Sequence, residues 1–216
     1  MTTAEKKKKA RLILKKLAKL YPEAKCHLEF KNAFELTIST VLSAQCTDEI
    51  VNKTMVPLYA TKYKTPEDIM KDGIDNFRDN IKSINFYNNK AKSVMKLAEK
   101  LITDFGSEIP ESMEDLTSLP GLGRKSANVI RGNSFGKKDC VIVDTHFKRV
   151  ASRLGIIENE NPEKIEIEVK ELINEKDQYD FSMRIGEHGR VVCNAKKPKC
   201  EICVFTDICL YYNESK

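Results

Sequence analysis

No stretch of this 216-residue chain approaches the roughly 18 consecutive apolar residues that a membrane-spanning helix needs. The basic, lysine-interrupted residues 1–20 lack the continuous apolar core of a secretory leader. Both absences point to a soluble intracellular protein with no membrane partner. Alternating apolar and polar runs joined by tight turns, which would mark a hairpin-rich sheet, are missing as well. Apolar residues recur instead at helical spacing in nearly every segment, so the expected fold is all-α. Neither an internal repeat nor a low-complexity linker is evident beyond the lysine run at residues 6–9, which reads as a solvated end. Charge excess is slight: 37 Lys and Arg against 32 Asp and Glu leave +5 and a pI near 8.7, which suits a polyanionic partner without requiring one. At 24.6 kDa the chain can bury one large core or two modest ones.

Start and stop signals order the helices. A first helix carries Leu12, Ile13, Leu17 and Leu20 and stops before Pro22. Asn32 can cap a second through Phe34, Leu36, Ile38, Val41 and Leu42, although the largely β-branched run Thr37-Ile38-Ser39-Thr40-Val41 weakens the helical reading. Thr47 or Asp48 can cap a third, short helices fit residues 66–71 and 74–81, and a longer one fits 88–105, ended by Gly106. Ser112 with Asp115 resembles a capping box before Met113–Ser118, and Arg124–Ser134 forms the next helix, closed by Gly136. Asp144 can cap a helix that runs to Leu154 and ends at Gly155, and two more are expected near residues 163–174 and 181–190.

Between two of these helices lies Leu119-Pro120-Gly121-Leu122-Gly123-Arg124, with Lys125 directly behind it. Two nucleotide-loop readings fail on spacing. A dinucleotide fingerprint needs a third glycine where Ser126 stands, and a P-loop needs a glycine immediately before the lysine, where Arg124 stands. What remains is helix, glycine-bearing turn, helix. Glycines let a backbone approach closely, and amides at the second helix's start point at whatever docks there, so a phosphate is the natural guest. Taken alone, the turn reads more readily as a plain helix-helix connector, since short glycine-bearing turns are common.

Seven cysteines in an intracellular chain argue for metal or cluster ligation over disulfides. Cys26, Cys46 and Cys140 stand apart and read as ordinary buried thiols. The remaining four, Cys193-x6-Cys200-x2-Cys203-x5-Cys209, fall within seventeen residues and can wrap one metal centre. Four thiolates suit tetrahedral zinc and a four-iron cluster alike.

The stretch Leu-Pro-Gly-Leu-Gly-Arg-Lys-Ser-Ala-Asn-Val-Ile, read with Val-Asp-Thr-His-Phe-Lys-Arg-Val at residues 143–150, closely resembles the endonuclease III family of base-excision repair enzymes. Leu42-Ser43-Ala44-Gln45-Cys46-Thr47-Asp48, Phe86-Tyr87-Asn88-Asn89-Lys90 and the cysteine set extend the resemblance over essentially the whole chain. The resemblance implies a helix-hairpin-helix DNA glycosylase fold: a six-helix barrel over residues 26–137, and an iron-sulfur cluster domain built from residues 1–25 and 138–216. It implies an active-site cleft between the two, with Lys125 on the barrel side and Asp144 across the junction. The implied cofactor is a structural [4Fe-4S] cluster on Cys193, Cys200, Cys203 and Cys209. The implied partner is damaged double-stranded DNA, engaged by a monomer inside the cell, in the cytoplasm or nucleoid of a prokaryote.

By the same resemblance, Lys125 attacks C1′ of a flipped damaged nucleotide, expels an oxidised pyrimidine, and cuts the strand 3′ to the abasic site by β-elimination. A lysine nucleophile reacts as the neutral amine, and the positive helix end with Arg124 beside it disfavours the ammonium. Asp144 would accept a proton or stabilise charge developing on the sugar. Relatives that only remove a base lack a lysine here, and those that read adenine append a further domain, for which a chain ending at Lys216 leaves no room. Gln45 would enter the base stack with Phe86 as apolar wedge, where the family more often carries leucine; helical periodicity alone would bury Phe86 in the core. Gly121, Gly123, Arg124, His146, Lys196, Lys197 and Lys199 would meet the DNA backbone, and Asp48 and His146 would line the base pocket. Two alternatives stand beside this reading: a monofunctional glycosylase for mismatched or alkylated bases, and a non-catalytic iron-sulfur DNA-binding module.

Overall fold

The structure, a computed structural model, describes residues 1–214. Among them every regular element is helical, and the chain divides into two compact units, Cys26–Gly136 and Met1–Lys25 with Lys137–Lys216. No described helix is long and apolar enough to cross a membrane.

The first unit holds six helices: α2 (Ala33–Leu42), α3 (Asp48–Thr61), α4 (Pro66–Asn80), α5 (Tyr87–Phe105), α6 (Met113–Ser118) and α7 (Arg124–Ser134). α2 is buried from Phe34 to Leu42, which explains its composition. A helix surrounded on all sides has no polar face to keep, and packing overrides the weak helical preference of its β-branched run. Its hydroxyls are satisfied locally: Thr37 and Thr40 donate to the carbonyls of Ala33 and Leu36, both at 2.7 Å, and Ser39 lies 2.8 Å from the Tyr59 hydroxyl. Thr47, not Asp48, caps α3. The two short helices expected over 66–81 appear as one element broken at Gly73, whose φ of 78° is left-handed. Ser112 caps α6 by accepting from Asp115 N, but Asp115 takes the serine hydroxyl in return, so the reciprocal backbone bond of a capping box is not made.

The second unit holds α1 (Thr3–Leu20), α8 (Thr145–Arg153), α9 (Pro162–Leu172), α10 (Glu175–Val191) and α11 (Leu210–Glu214); α1 packs on α9 and α10, and α8 on α10 and α11. Its core joins Ile13 and Leu17 of α1 to Phe147, Val150, Ile165, Phe181 and Ile185. α8 and α10 approach closely because position 189 is glycine: a Cβ there would stand 2.9 Å from His146 Cβ and 3.1 Å from Val150 Cγ2. Neither α11 nor the 3-10 turn Cys200–Ile202 was expected from periodicity, since both are too short to show any. Leu210 nevertheless anchors α11 over Gly155, the αL residue that ends α8.

Candidate functional site

The hairpin is built from the inside outward. Leu119, Leu122, Ala127 and Ile130 are buried and fix α6 against α7. Gly121 adopts φ 85°, and its ideal Cβ would lie 3.1 Å from Val41 of the buried α2, so both backbone angle and space favour glycine here. Gly123 is the N-cap of α7 and supplies no side-chain cap, which leaves first-turn amides open to an anion. Arg124 and Lys125 are the first two residues of that helix and both side chains are exposed.

In the same unit Gln45 and Phe86 share an unusual backbone. They are two of the three described non-glycine residues with positive φ, at 53° and 58°. Phe86 is 61% exposed, so it is no core residue, contrary to what its place in the helical period suggests. Asn85 Nδ2 donates to the Gln45 carbonyl at 3.0 Å, which ties the two turns together. Asp48 lies half-buried in the first turn of α3, three residues from Gln45 in sequence. Of the three isolated thiols, Cys140 is buried, while Cys26 and Cys46 are only partly so.

Asp144 belongs to the other unit and splits its two oxygens between tasks. Oδ1 accepts from Phe147 N at 2.7 Å and caps α8, while Oδ2 lies 3.4 Å from Arg190 Nη2 on α10. His146, half-buried two residues on, has Nδ1 3.2 Å from Arg149 Nη2. Burial and then the Arg190 charge hold its imidazole below the usual histidine range, with Asp144 pulling the other way. Arg190 is a functional neighbour that the sequence reading missed, because nothing in the spacing of residues 144 and 190 announces their contact.

The far end of α8 organises the cysteines. Arg149 Nε donates to the Cys193 carbonyl at 3.0 Å, and Arg153 donates to Cys193 Sγ at 3.3 Å, Asn194 O at 2.8 Å and Ala195 O at 2.9 Å. The Arg153 guanidinium also lies 4.5 Å from the centre of the Tyr211 ring. Both arginines escaped the sequence reading. Held this way, the loop presents Lys196, Lys197 and Lys199 as exposed side chains. All four thiols line one cleft, partly open to solvent, with Arg153 and Tyr211. Burial pushes the Cys200 and Cys203 thiols up, and the neighbouring sulfurs add to it. Two thiols whose ionisation is disfavoured by burial and by neighbouring sulfurs fit a cationic centre that would reverse the penalty.

Comparison with known proteins bears on both regions. Residues 38–175 match the HhH-GPD superfamily base excision DNA repair proteins, and residues 193–209, from the first to the last clustered cysteine, match the iron-sulfur binding domain of endonuclease III. Endonuclease III of Synechocystis is 40% identical over 206 residues, 95% of this chain and 94% of its own length. The Escherichia coli endonuclease III is 36% identical over 92% of this chain and 93% of its own length. Among solved structures, a trapped endonuclease III–DNA covalent intermediate superposes with a TM-score of 0.92 at 35% identity, covering 100% of this chain and 99% of that one. A thermostable thymine-DNA glycosylase follows at 0.86 and 27% identity, covering 96% and 98%. The chain belongs to the endonuclease III family of the HhH-GPD superfamily.

Proposed function

We propose that Lys125 is the nucleophile, and Asp144 the acidic partner, of a bifunctional DNA glycosylase and AP lyase. The enzyme acts in base-excision repair on duplex DNA carrying oxidised pyrimidines. The observation that carries this reading is a lysine in the uncapped first turn of α7, immediately behind a hairpin whose Gly121 is held left-handed against α2. Support comes from the similar endonuclease III that was trapped covalently on DNA.

The attacked sugar carbon is shielded inside a stacked duplex, so the damaged nucleotide must be flipped out. Gln45 and Phe86, exposed and joined through Asn85, fill the space it vacates. Hairpin amides at Gly121 and Gly123, with Arg124, grip a phosphate. The Lys125 amine then forms a bond to C1′ as the C1′–base bond breaks, and Asp144 stabilises positive charge on the sugar or takes the amine's proton. Ring opening yields an imine between Lys125 and C1′, loss of a C2′ proton follows, and the C3′–O bond breaks with the phosphate as leaving group. Water then releases the lysine. Asp48 and His146 contact the flipped base in this scheme.

The chain carries a [4Fe-4S] cluster, whose chemistry when bound is to tie four thiolates into one rigid loop. We assign Cys193, Cys200, Cys203 and Cys209 as its ligands, with Lys196, Lys197 and Lys199 presented from that loop to DNA phosphates. In this reading Cys26–Gly136 is the six-helix barrel domain and the remainder the cluster domain, and the enzyme works as a monomer in whichever compartment holds the DNA. Incision of single-lesion duplexes tests the function. Strand cleavage at thymine glycol or dihydrothymine without added lyase is expected. Base release without cleavage would instead favour the monofunctional alternative.

A further inference from the structure

His188 on α10 is buried, with 2% of its surface exposed, and takes no part in the chemistry above. Its two ring nitrogens face different groups: Nδ1 lies 3.0 Å from the Tyr21 hydroxyl, and Nε2 lies 3.6 Å from Cys203 Sγ. Tyr21 and Phe205 hold the ring edge to face, at centroid distances of 5.9 and 5.1 Å. Tyr21 is itself fixed at the end of α1. Its N–H donates to the Leu17 carbonyl at 2.8 Å, and its carbonyl accepts from Arg184 Nε at 3.2 Å. Arg184 and His188 are one turn apart on α10, so a single helix face grips the tyrosine twice.

This geometry assigns the proton. A cluster-bound thiolate only accepts hydrogen bonds, whereas a tyrosine hydroxyl donates or accepts. If the imidazole is neutral, Tyr21 donates to Nδ1 and the hydrogen sits on Nε2. If it is charged, Nδ1–H donates to Tyr21 and Nε2 again carries a hydrogen. In either state an N–H points at the Cys203 sulfur.

We propose that His188 is an outer-shell hydrogen-bond donor to Cys203 that raises the reduction potential of the cluster, with Tyr21 as its positioning residue. The inference rests on Cys203 being a cluster ligand. A donor at a ligand sulfur stabilises the more negative, reduced side of any couple, so potentials rise. Oxidation of the resting cluster then becomes harder, and the cluster is protected against oxidative loss of iron. The structural role expected for it depends on that persistence.

The chain has three histidines, which makes the test selective. Holoprotein carrying ¹⁵N-histidine should show, by pulsed electron paramagnetic resonance of the paramagnetic cluster, one weakly coupled histidine nitrogen. His188→Phe should abolish that coupling, shift the midpoint potential negative and bleach faster in air. Tyr21→Phe should shift the potential the same way by less, and it decides the matter with the wild-type spectrum if His188→Phe does not retain its cluster. Absence of histidine coupling in cluster-replete wild type, or unchanged potentials in cluster-replete variants, would overturn the proposal. Wild-type protein without an iron-sulfur cluster would instead overturn the ligand assignment on which it rests.

Discussion

Gln45 and Phe86 hold backbone angles that L-residues disfavour by about 1–2 kcal/mol each, and they do so while exposed, where no packing gain offsets the cost. Strain of this kind at the two proposed stack-entering residues separates stability from function. Phe86→Gly should leave thermal stability unchanged or raise it by up to about 1 kcal/mol, because glycine adopts this φ freely and little apolar surface is lost. Single-turnover base removal should nonetheless fall about tenfold or more, equivalent to at least about 1.4 kcal/mol of lost support for the flipped state. At Asp144 the separation runs through the cap. Asparagine caps helices as well as aspartate does, so Asp144→Asn should keep α8 intact and retain DNA affinity. Turnover should drop by about 10²–10⁴, the span expected for loss of acid-base or charge-stabilising help. Unchanged turnover would remove Asp144 from the mechanism. Arg190, Arg149 and Arg153 could not be read beforehand, since each acts on groups at least 40 residues away in the chain.

Local caps made several elements readable: Asn32, Thr47, Ser112 and Asp144 each accept from a first-turn amide; the caps Thr65 and Asn161 were not singled out. Periodicity failed where tertiary packing decides. It misjudged Phe86, whose turn is set by a left-handed φ, and it left α2 ambiguous because a fully enclosed helix carries no polar stripe. The α8–α10 contact is likewise invisible in sequence beyond one glycine. Gly189→Ala should therefore destabilise the protein by about 1–3 kcal/mol in denaturant unfolding, since its methyl would meet His146 and Val150. His146 adds a pH dependence to the same contact. Its folded-state value is depressed below the ordinary 6.5, so above that pH it contributes no variation. As pH falls below 6.5 the unfolded chain takes up the proton first, and stability is lost until the depressed value is passed. His146→Gln should lose less stability than wild type on acidification from neutral pH, as measured by denaturant midpoints.

For the molecule as a whole, a net charge of +5 says little about DNA, whereas three exposed lysines on a loop held by Arg149 and Arg153 say more. Replacing Lys196, Lys197 and Lys199 with alanine should weaken binding to all duplexes alike. It should also flatten the slope of log affinity against log salt by up to about 3, at about 0.9 per phosphate contact. Cleavage of DNA already bound should change little. The two-unit division is readable only through the family resemblance, because no linker composition marks residues 25–26 or 136–137. The four-cysteine loop, by contrast, stands out in the sequence by its own spacing as a candidate metal or cluster site. Chemistry at Lys125 is the centre of the account, and borohydride trapping on abasic duplex DNA tests it most directly. The wild-type protein should form a stable covalent adduct mapping by mass spectrometry to the peptide containing Lys125, and Lys125→Ala should form none. Equal trapping by the alanine variant would contradict the account.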